Sequence, residues 1–252
     1  MTTADEIDTA KMNAADTLLE RGLSTSSGEN TAILTDDVSL TYNDLEAAAC
    51  RAGHVIRSFG VQAGDRVLIM ADDRPEFFFA YLGAMKIGAV PVSLNLRFST
   101  GNLTYIIEDS DCKLLLADAQ FVDNCLEAMD GMVSPPAFCV IDTACADLPL
   151  FPELMKDHSG ELTSHLLDAD DTALWMYTSG TTGKPKSVVH RQRCTVNIDR
   201  YFGPVYGVGP GDKIFCSSKL FFAFSLGHCF LAGLRLGASI ILHAGWPSAE
   251  AV

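Results

Sequence analysis

Trp175-Met176-Tyr177-Thr178-Ser179-Gly180-Thr181-Thr182-Gly183-Lys184-Pro185-Lys186-Ser187-Val188-Val189-His190 is the stretch whose reading decides this chain. Apolar, strand-like residues flank a loop that is almost wholly polar. The loop holds hydroxyls at Thr178, Ser179, Thr181 and Thr182, glycines at Gly180 and Gly183, and ammonium groups at Lys184 and Lys186. Such a set suits a phosphate: glycine lets backbone N–H groups approach, hydroxyls donate, and lysines neutralise charge. It is not a Walker loop, which needs four residues between its glycines, a terminal Gly-Lys-Ser/Thr and a following helix. Here only Thr181 and Thr182 separate the glycines, Pro185 disfavours helix at Lys184, and Val188-Val189 read as strand. The expectation is a strand–loop–strand hairpin holding phosphate without a helix dipole. A plain surface hairpin is the competing reading.

Upstream of the hairpin the pattern alternates. Asn13 is expected to cap a helix over 14–21 with Gly22 as its stop, and 32–34 with 38–40 to form a hairpin across Asp36-Asp37. Thr41 heads a helix to about residue 59, carried by Leu45, Ala48, Ala49, Ala52, Val55 and Ile56 at helical spacing. A near-continuous apolar strand over 66–70 fits a parallel strand covered on both faces. A helix from Pro75, a strand at 88–92, a helix at 100–109 and a strand at 113–117 follow, then a helix at 119–129 and a strand at 137–141. Residues 143–164 read as a surface excursion. This is the β-α-β alternation of an α/β protein with open, mostly parallel sheets flanked by helices. Residues 1–12 are expected to be disordered, 13–168 to form a first α/β subdomain, and 169–252 to start a second that carries the loop. Within the latter, helices at 192–206 and 226–236 and strands at 214–216 and 238–242 are expected.

The chain has 252 residues, 48% hydrophobic, with a formal net charge of −14, which suits a sizeable core and disfavours nucleic acid and anionic membrane as partners. The N-terminus has no apolar signal run, and the longest apolar stretch, 220–234, is too short to span a bilayer. The eight cysteines form no Cys-x-x-Cys pair. They read as reduced, mainly buried thiols of a cytoplasmic protein, with no metal site.

The ordered run Thr178 to Lys186 resembles, residue by residue, the phosphate-loop signature of the adenylate-forming superfamily: acyl- and aryl-CoA synthetases, peptide-synthetase adenylation domains and beetle luciferases. Gly88-Ala89-Val90-Pro91-Val92 with Asn95 and Arg97 is similar to an early segment of the same superfamily. The resemblance runs from about Ala14 to the last residue. Lys219 to Gly227 looks like the motif lining the carboxylate pocket, with Phe222, Ala223, Phe224, Gly227 and His228 as pocket residues. Many relatives have Phe-His there. Ala223 at that place, and the run Leu242-His243-Ala244-Gly245-Trp246-Pro247, are similar to benzoate-CoA ligases.

The resemblance implies ATP, Mg²⁺ and coenzyme A as co-substrates or cofactors and a small aromatic acid as substrate. The carboxylate would attack the α-phosphate to give an acyl-adenylate, and the thiol would then displace AMP. Thr178, Ser179, Gly180, Thr181, Thr182, Gly183, Lys184 and Lys186 would hold the phosphates. The family's Tyr-Gly-x-Thr-Glu and Tyr-x-Thr-Gly-Asp segments do not occur, nor does its C-terminal lysine domain, so no complete catalytic set is expected. The chain reads as the N-terminal portion of a longer ligase, with little or no turnover by itself. A carrier-protein-loading adenylation domain, a non-catalytic nucleotide-binding or oligomerisation half-domain, and a homo-oligomer stay open.

Overall fold

The computed structural model describes residues 11–145, 147–178 and 184–248. Two sheets share one helical layer. Sheet A has six strands in the order β6-β5-β3-β4-β7-β8: β3 Arg66–Met70, β4 Val90–Ser93, β5 Leu114–Ala117, β6 Ala137–Val140, β7 Thr172–Thr178 and β8 Lys186–Arg191. All its pairings are parallel except β7 with β8. Sheet B has four strands in the order β2-β1-β10-β9: β1 Thr31–Leu34, β2 Ser39–Thr41, β9 Lys213–Phe215 and β10 Ser239–Ile241. Its β1–β2 pair is antiparallel and the other two are parallel.

Alternation along β3 explains the layering. Val67 and Ile69 face one core with α2 (Tyr42–Ser58) and α3 (Pro75–Lys86), while Leu68 and Met70 face a second core with α4 (Thr100–Ser110) and α5 (Val122–Met129). A strand buried on both sides must be apolar throughout. Helix α3 is apolar nearly all round because it lies between the sheets. Its Phe77, Phe78 and Tyr81 are fully buried and pack on Phe230, while Phe79 is only partly buried. Helices α2 and α3 cross closely: a Cβ on Gly83 would stand 2.7 Å from both Ala52 Cβ and the Gly53 nitrogen.

Local signals set the helix starts. Asn13 Oδ1 accepts from the Ala15 N–H, and Thr41 with Asp44 makes a reciprocal capping box. Several expectations are corrected. Helix α1 (Ala14–Ser24) runs through Gly22, which is there because Tyr42 packs flat against it, 2.2 Å from where a Cβ would be. Met12, expected in a disordered stretch, bridges to Leu167, and the rest of 1–10 lies outside the described residues. The excursion at 143–164 contains α6 (Phe151–Met155), whose Phe151 is fully buried. The helix expected at 192–206 is a 3-10 turn, Gln192–Thr195, followed by α7, Ile198–Tyr206.

The boundary expected at 168/169 is crossed by strand pairing. β7 and β8 extend the sheet begun by β3, whereas β9 and β10 pair with β1. The reason is hydrogen bonding: β1 and β4 would otherwise each leave a bare edge. A single-sequence pattern shows strands but not their partners.

Candidate active site

The hairpin forms as expected for the described residues. Six pairs run from Thr172↔Arg191 to Thr178↔Lys186, so the loop opens at the carboxyl end of β7. Carboxyl ends of parallel strands are where open α/β sheets bind ligands. Thr178 Oγ1 donates to the Lys186 carbonyl at 3.4 Å and closes the hairpin neck. Ser179, Gly180, Thr181, Thr182 and Gly183 lie outside the described residues. Lys184 and Lys186 are exposed, with Pro185 buried between them. Neither lysine has a carboxylate partner among the described residues. Lys184 Nζ stands 4.8 Å from the centroid of the Tyr105 ring on α4.

That ring belongs to a small cluster beside Lys184. Asp109 accepts from the Tyr177 hydroxyl at 2.6 Å and from the Tyr105 hydroxyl at 3.3 Å. Burial, then the Asp109 carboxylate, push the Tyr177 phenol up, so it stays a donor at neutral pH. Sequence reading missed Tyr105 and Asp109. Their spacing of four on a helix was the available signal, but nothing tied it to the loop.

The expected acid-pocket residues sit elsewhere, at the start of α8. This helix, residues 223–236, joins a first turn Ala223–Ser225, a π-helical stretch Leu226–Leu231 and a last turn Ala232–Leu236. It begins three residues before the expected start. π-stretches recur at functional positions. Phe222, Ala223 and Phe224 are exposed, and Gly227 and His228 are partly buried. The five residues are therefore brought together on one helix, but as an open shelf and not an enclosed slot. His228 Nδ1 donates to the Phe224 carbonyl at 2.7 Å, since a carbonyl can only accept. Its ring stacks on Phe224 at 4.1 Å and meets the edge of Phe202 at 4.4 Å; Phe202 in turn stacks on Tyr206. Tyr201, Val205, Tyr206 and Phe224 leave more than half of their surface exposed. Phe202 and Tyr206 were read only as helix positions, and their grouping with His228 depends on tertiary contact.

A buried polar network lies at the carboxyl end of β3, beside the segment that leads into the shelf. Lys219 is 1% exposed, and its Nζ donates to Asp72 Oδ1 at 2.6 Å and to the His243 carbonyl at 3.1 Å. Asp72 Oδ2 accepts from Gly245 N–H, and Asp73 Oδ1 from Leu220 N–H. The Asp72 N–H donates to Asp118 Oδ2, whose other oxygen lies 3.2 Å from Arg74 Nε. Arg74 also faces Asp142 at 3.6 Å. Burial pushes Asp73 and Asp118 up to about 6. Burial works on Asp72 in the same direction, but its bonds to Lys219 and to backbone N–H groups win and hold it below the usual carboxylate range. The network sits where β3 and β5 are neighbours although the chain visits β4 between them. Successive connections leave in opposite directions there, the crevice position of open α/β sheets.

All eight cysteines are free thiols, none is paired, and among the described residues no group of three or more His, Cys, Asp or Glu converges on a metal. No helix among the described residues is long and apolar enough to cross a membrane.

A parallel sheet that ends in a Thr-Ser-Gly-Thr-Thr-Gly-x-Pro-Lys hairpin, beside a second sheet with an aromatic helix start, defines a class. The chain belongs to the family of AMP-binding enzymes, which matches residues 20–252. Among curated proteins it is 43% identical over 243 residues to a 3-hydroxybenzoate–CoA/4-hydroxybenzoate–CoA ligase of Thauera aromatica, covering 96% of this chain and 46% of the relative. It is 41% identical over 236 residues to a 3-hydroxybenzoate–CoA ligase of an Aromatoleum strain, covering 94% and 45%. A benzoate–CoA ligase of Thauera aromatica is 31% identical. Among solved structures, a benzoate CoA ligase of Burkholderia xenovorans superposes with a TM-score of 0.85 at 29% identity, over 95% of this chain and 47% of that one. The chain spans about half the length of the curated relatives it matches.

Proposed function

We propose that this chain carries the triphosphate loop and the aryl-acid shelf of an ATP-dependent aryl-CoA ligase, with a hydroxybenzoate as the acid. The observation that carries the reading is the 43% identity to a hydroxybenzoate–CoA ligase over 96% of the chain, against 31% to a benzoate–CoA ligase. The reaction would be attack of the carboxylate on the ATP α-phosphate with loss of pyrophosphate, then displacement of AMP by the thiol of coenzyme A. The acid is already ionised at neutral pH, so the first step needs alignment and charge neutralisation more than proton transfer.

In this reading the chain's own residues bind and orient. Lys184 and Lys186, exposed and free of carboxylate partners among the described residues, neutralise the β- and γ-phosphates. The Thr178 hydroxyl stands at the loop neck beside them, and Ser179, Gly180, Thr181, Thr182 and Gly183 would complete the cradle. Phe222, Ala223, Phe224, Gly227 and His228 receive the ring. The described donor set fits a triphosphate but offers no metal cage, so Mg²⁺ would arrive with the nucleotide and no step is assigned to it. The chain would supply one half of the ligase machinery and act as the nucleotide- and acid-binding half.

The test is incubation of the 252-residue chain with ATP, coenzyme A and, in turn, 3-hydroxybenzoate, 4-hydroxybenzoate or benzoate, with binding and products followed separately. The reading expects saturable ATP binding, acid binding that prefers a hydroxybenzoate, and little thioester. Robust acyl-CoA formation by the chain alone would overturn the half-machinery part. Acid-independent ATP binding with no preference among the acids would overturn the aryl-acid part.

A further inference from the structure

We propose that Lys219 is a positioning residue: its buried ammonium fixes segments 220–228 and 243–246 against the carboxyl end of β3 and thereby sets the position of the acid shelf. The inference rests on the aryl-acid reading above for the identity of the ligand, but its geometry stands without it.

A lysine buried to 1% must be compensated, because an unpaired ammonium in a protein interior would lose its proton or unfold its surroundings. The compensation here comes from two separate stretches of chain. Asp72 lies 2.6 Å from Nζ and Asp73 3.7 Å, both at the β3–α3 junction, while the His243 carbonyl accepts at 3.1 Å. Each carboxylate is then shared with a backbone N–H from one of the two segments. Asp73 takes the N–H of Leu220, which precedes the aromatic shelf, and Asp72 takes the N–H of Gly245, beside Trp246. One charge therefore ties both segments to one strand end. Asp118 and Arg74 extend the tie to β5.

Lys219 has both its hydrogen bonds turned inward, so it does not reach the acid. Its effect passes through the segments it holds. A displacement of about 1 Å in such segments costs on the order of 10- to 100-fold in productive binding.

The experiment uses Trp246, which lies half-exposed in the 243–246 segment under the Arg97 guanidinium, 4.3 Å from its ring. Only one other tryptophan is present, so Trp175→Phe leaves Trp246 as the sole reporter. In that background, Lys219→Met and the charge-balanced Lys219→Met/Asp72→Asn are compared with the parent. The double variant keeps the test alive if Lys219→Met does not fold. The expected result in a folded variant is Trp246 emission at longer wavelength, greater quenching by acrylamide, and 4-hydroxybenzoate affinity reduced about 10-fold or more with ATP affinity unchanged. Unchanged Trp246 emission in a folded variant would overturn the proposal. So would equal losses of acid and ATP affinity, which mark general loosening. If the parent binds ATP but no hydroxybenzoate, the aryl-acid reading fails, and the Trp246 response alone decides the positioning role.

Discussion

The β7–β8 hairpin and the Lys219 network are opposites. The hairpin is local in sequence, lies at a sheet edge, and leaves Val188 and Val189 exposed. The network is buried, and its members Asp72, Asp118, Lys219 and Gly245 are spread over more than 170 positions. In the proposed reading the first region would meet the phosphates at its exposed loop end, while β7 behind it is buried through Ala173, Leu174 and Met176. The second ties distant stretches of chain together. The lesson is that the residues most diagnostic of function need not be those on which the fold depends.

Substitutions can break this contrast, starting with the largest effect. Lys219→Met leaves Asp72 and Asp73 buried without their cation, and is expected to cost about 3–5 kcal/mol in urea unfolding. A loss near zero would mean the network is wet and the contrast false.

The same site has a pH signature. Asp73 and Asp118 are raised to about 6 from 3.8 in the folded state. Between about pH 4 and 6 the folded protein therefore binds more protons than the unfolded chain, and stability falls as pH rises. Their contribution is full below about pH 4 and lost through about pH 6. Asp73→Asn, whose amide oxygen can still accept from Leu220, should flatten the wild-type curve by about 1–3 kcal/mol over that window. An unchanged slope would place Asp73 in a more polar setting.

How far the sequence could be read follows the same divide. The capping residues Asn13 and Thr41, the apolar run of β3 and the Thr/Ser/Gly/Lys loop are local signals, and each marks its element within a few residues. The family resemblance, too, rested on contiguous residues. What stayed hidden depends on distant partners. Asp72-Asp73-Arg74 read only as a helix start, although acids right after a buried parallel strand stand at the end where such sheets bind ligands. Lys219 read as the first residue of the pocket motif, and its burial against Asp72 and Asp73 stayed hidden because burial of an ammonium cannot be inferred without its partners. The sheet order, which joins β10 to β1 and β7 to β4, is invisible for the same reason.

On the hairpin side smaller effects are expected. Tyr105→Leu removes the ring facing Lys184, an exposed contact of about 0.5–1 kcal/mol, and is expected to leave the melting transition almost unmoved. Tyr105→Phe should behave as wild type for Lys184 and separates the ring's role from its bond to Asp109. Lys186→Ala is smaller still for the fold, within about 0.5 kcal/mol by chemical denaturation, since the side chain is exposed and unpaired among the described residues.

Lys186 also gives the most direct test of the central claim, that this hairpin binds the phosphates of ATP. Isothermal titration of ATP into the chain and into Lys186→Ala, at matched ionic strength, is the decisive comparison. The account predicts saturable binding by the wild type and a loss of about tenfold or more in the variant, with unchanged thermal unfolding. Equal affinity in the two proteins, or no binding by either, would contradict it.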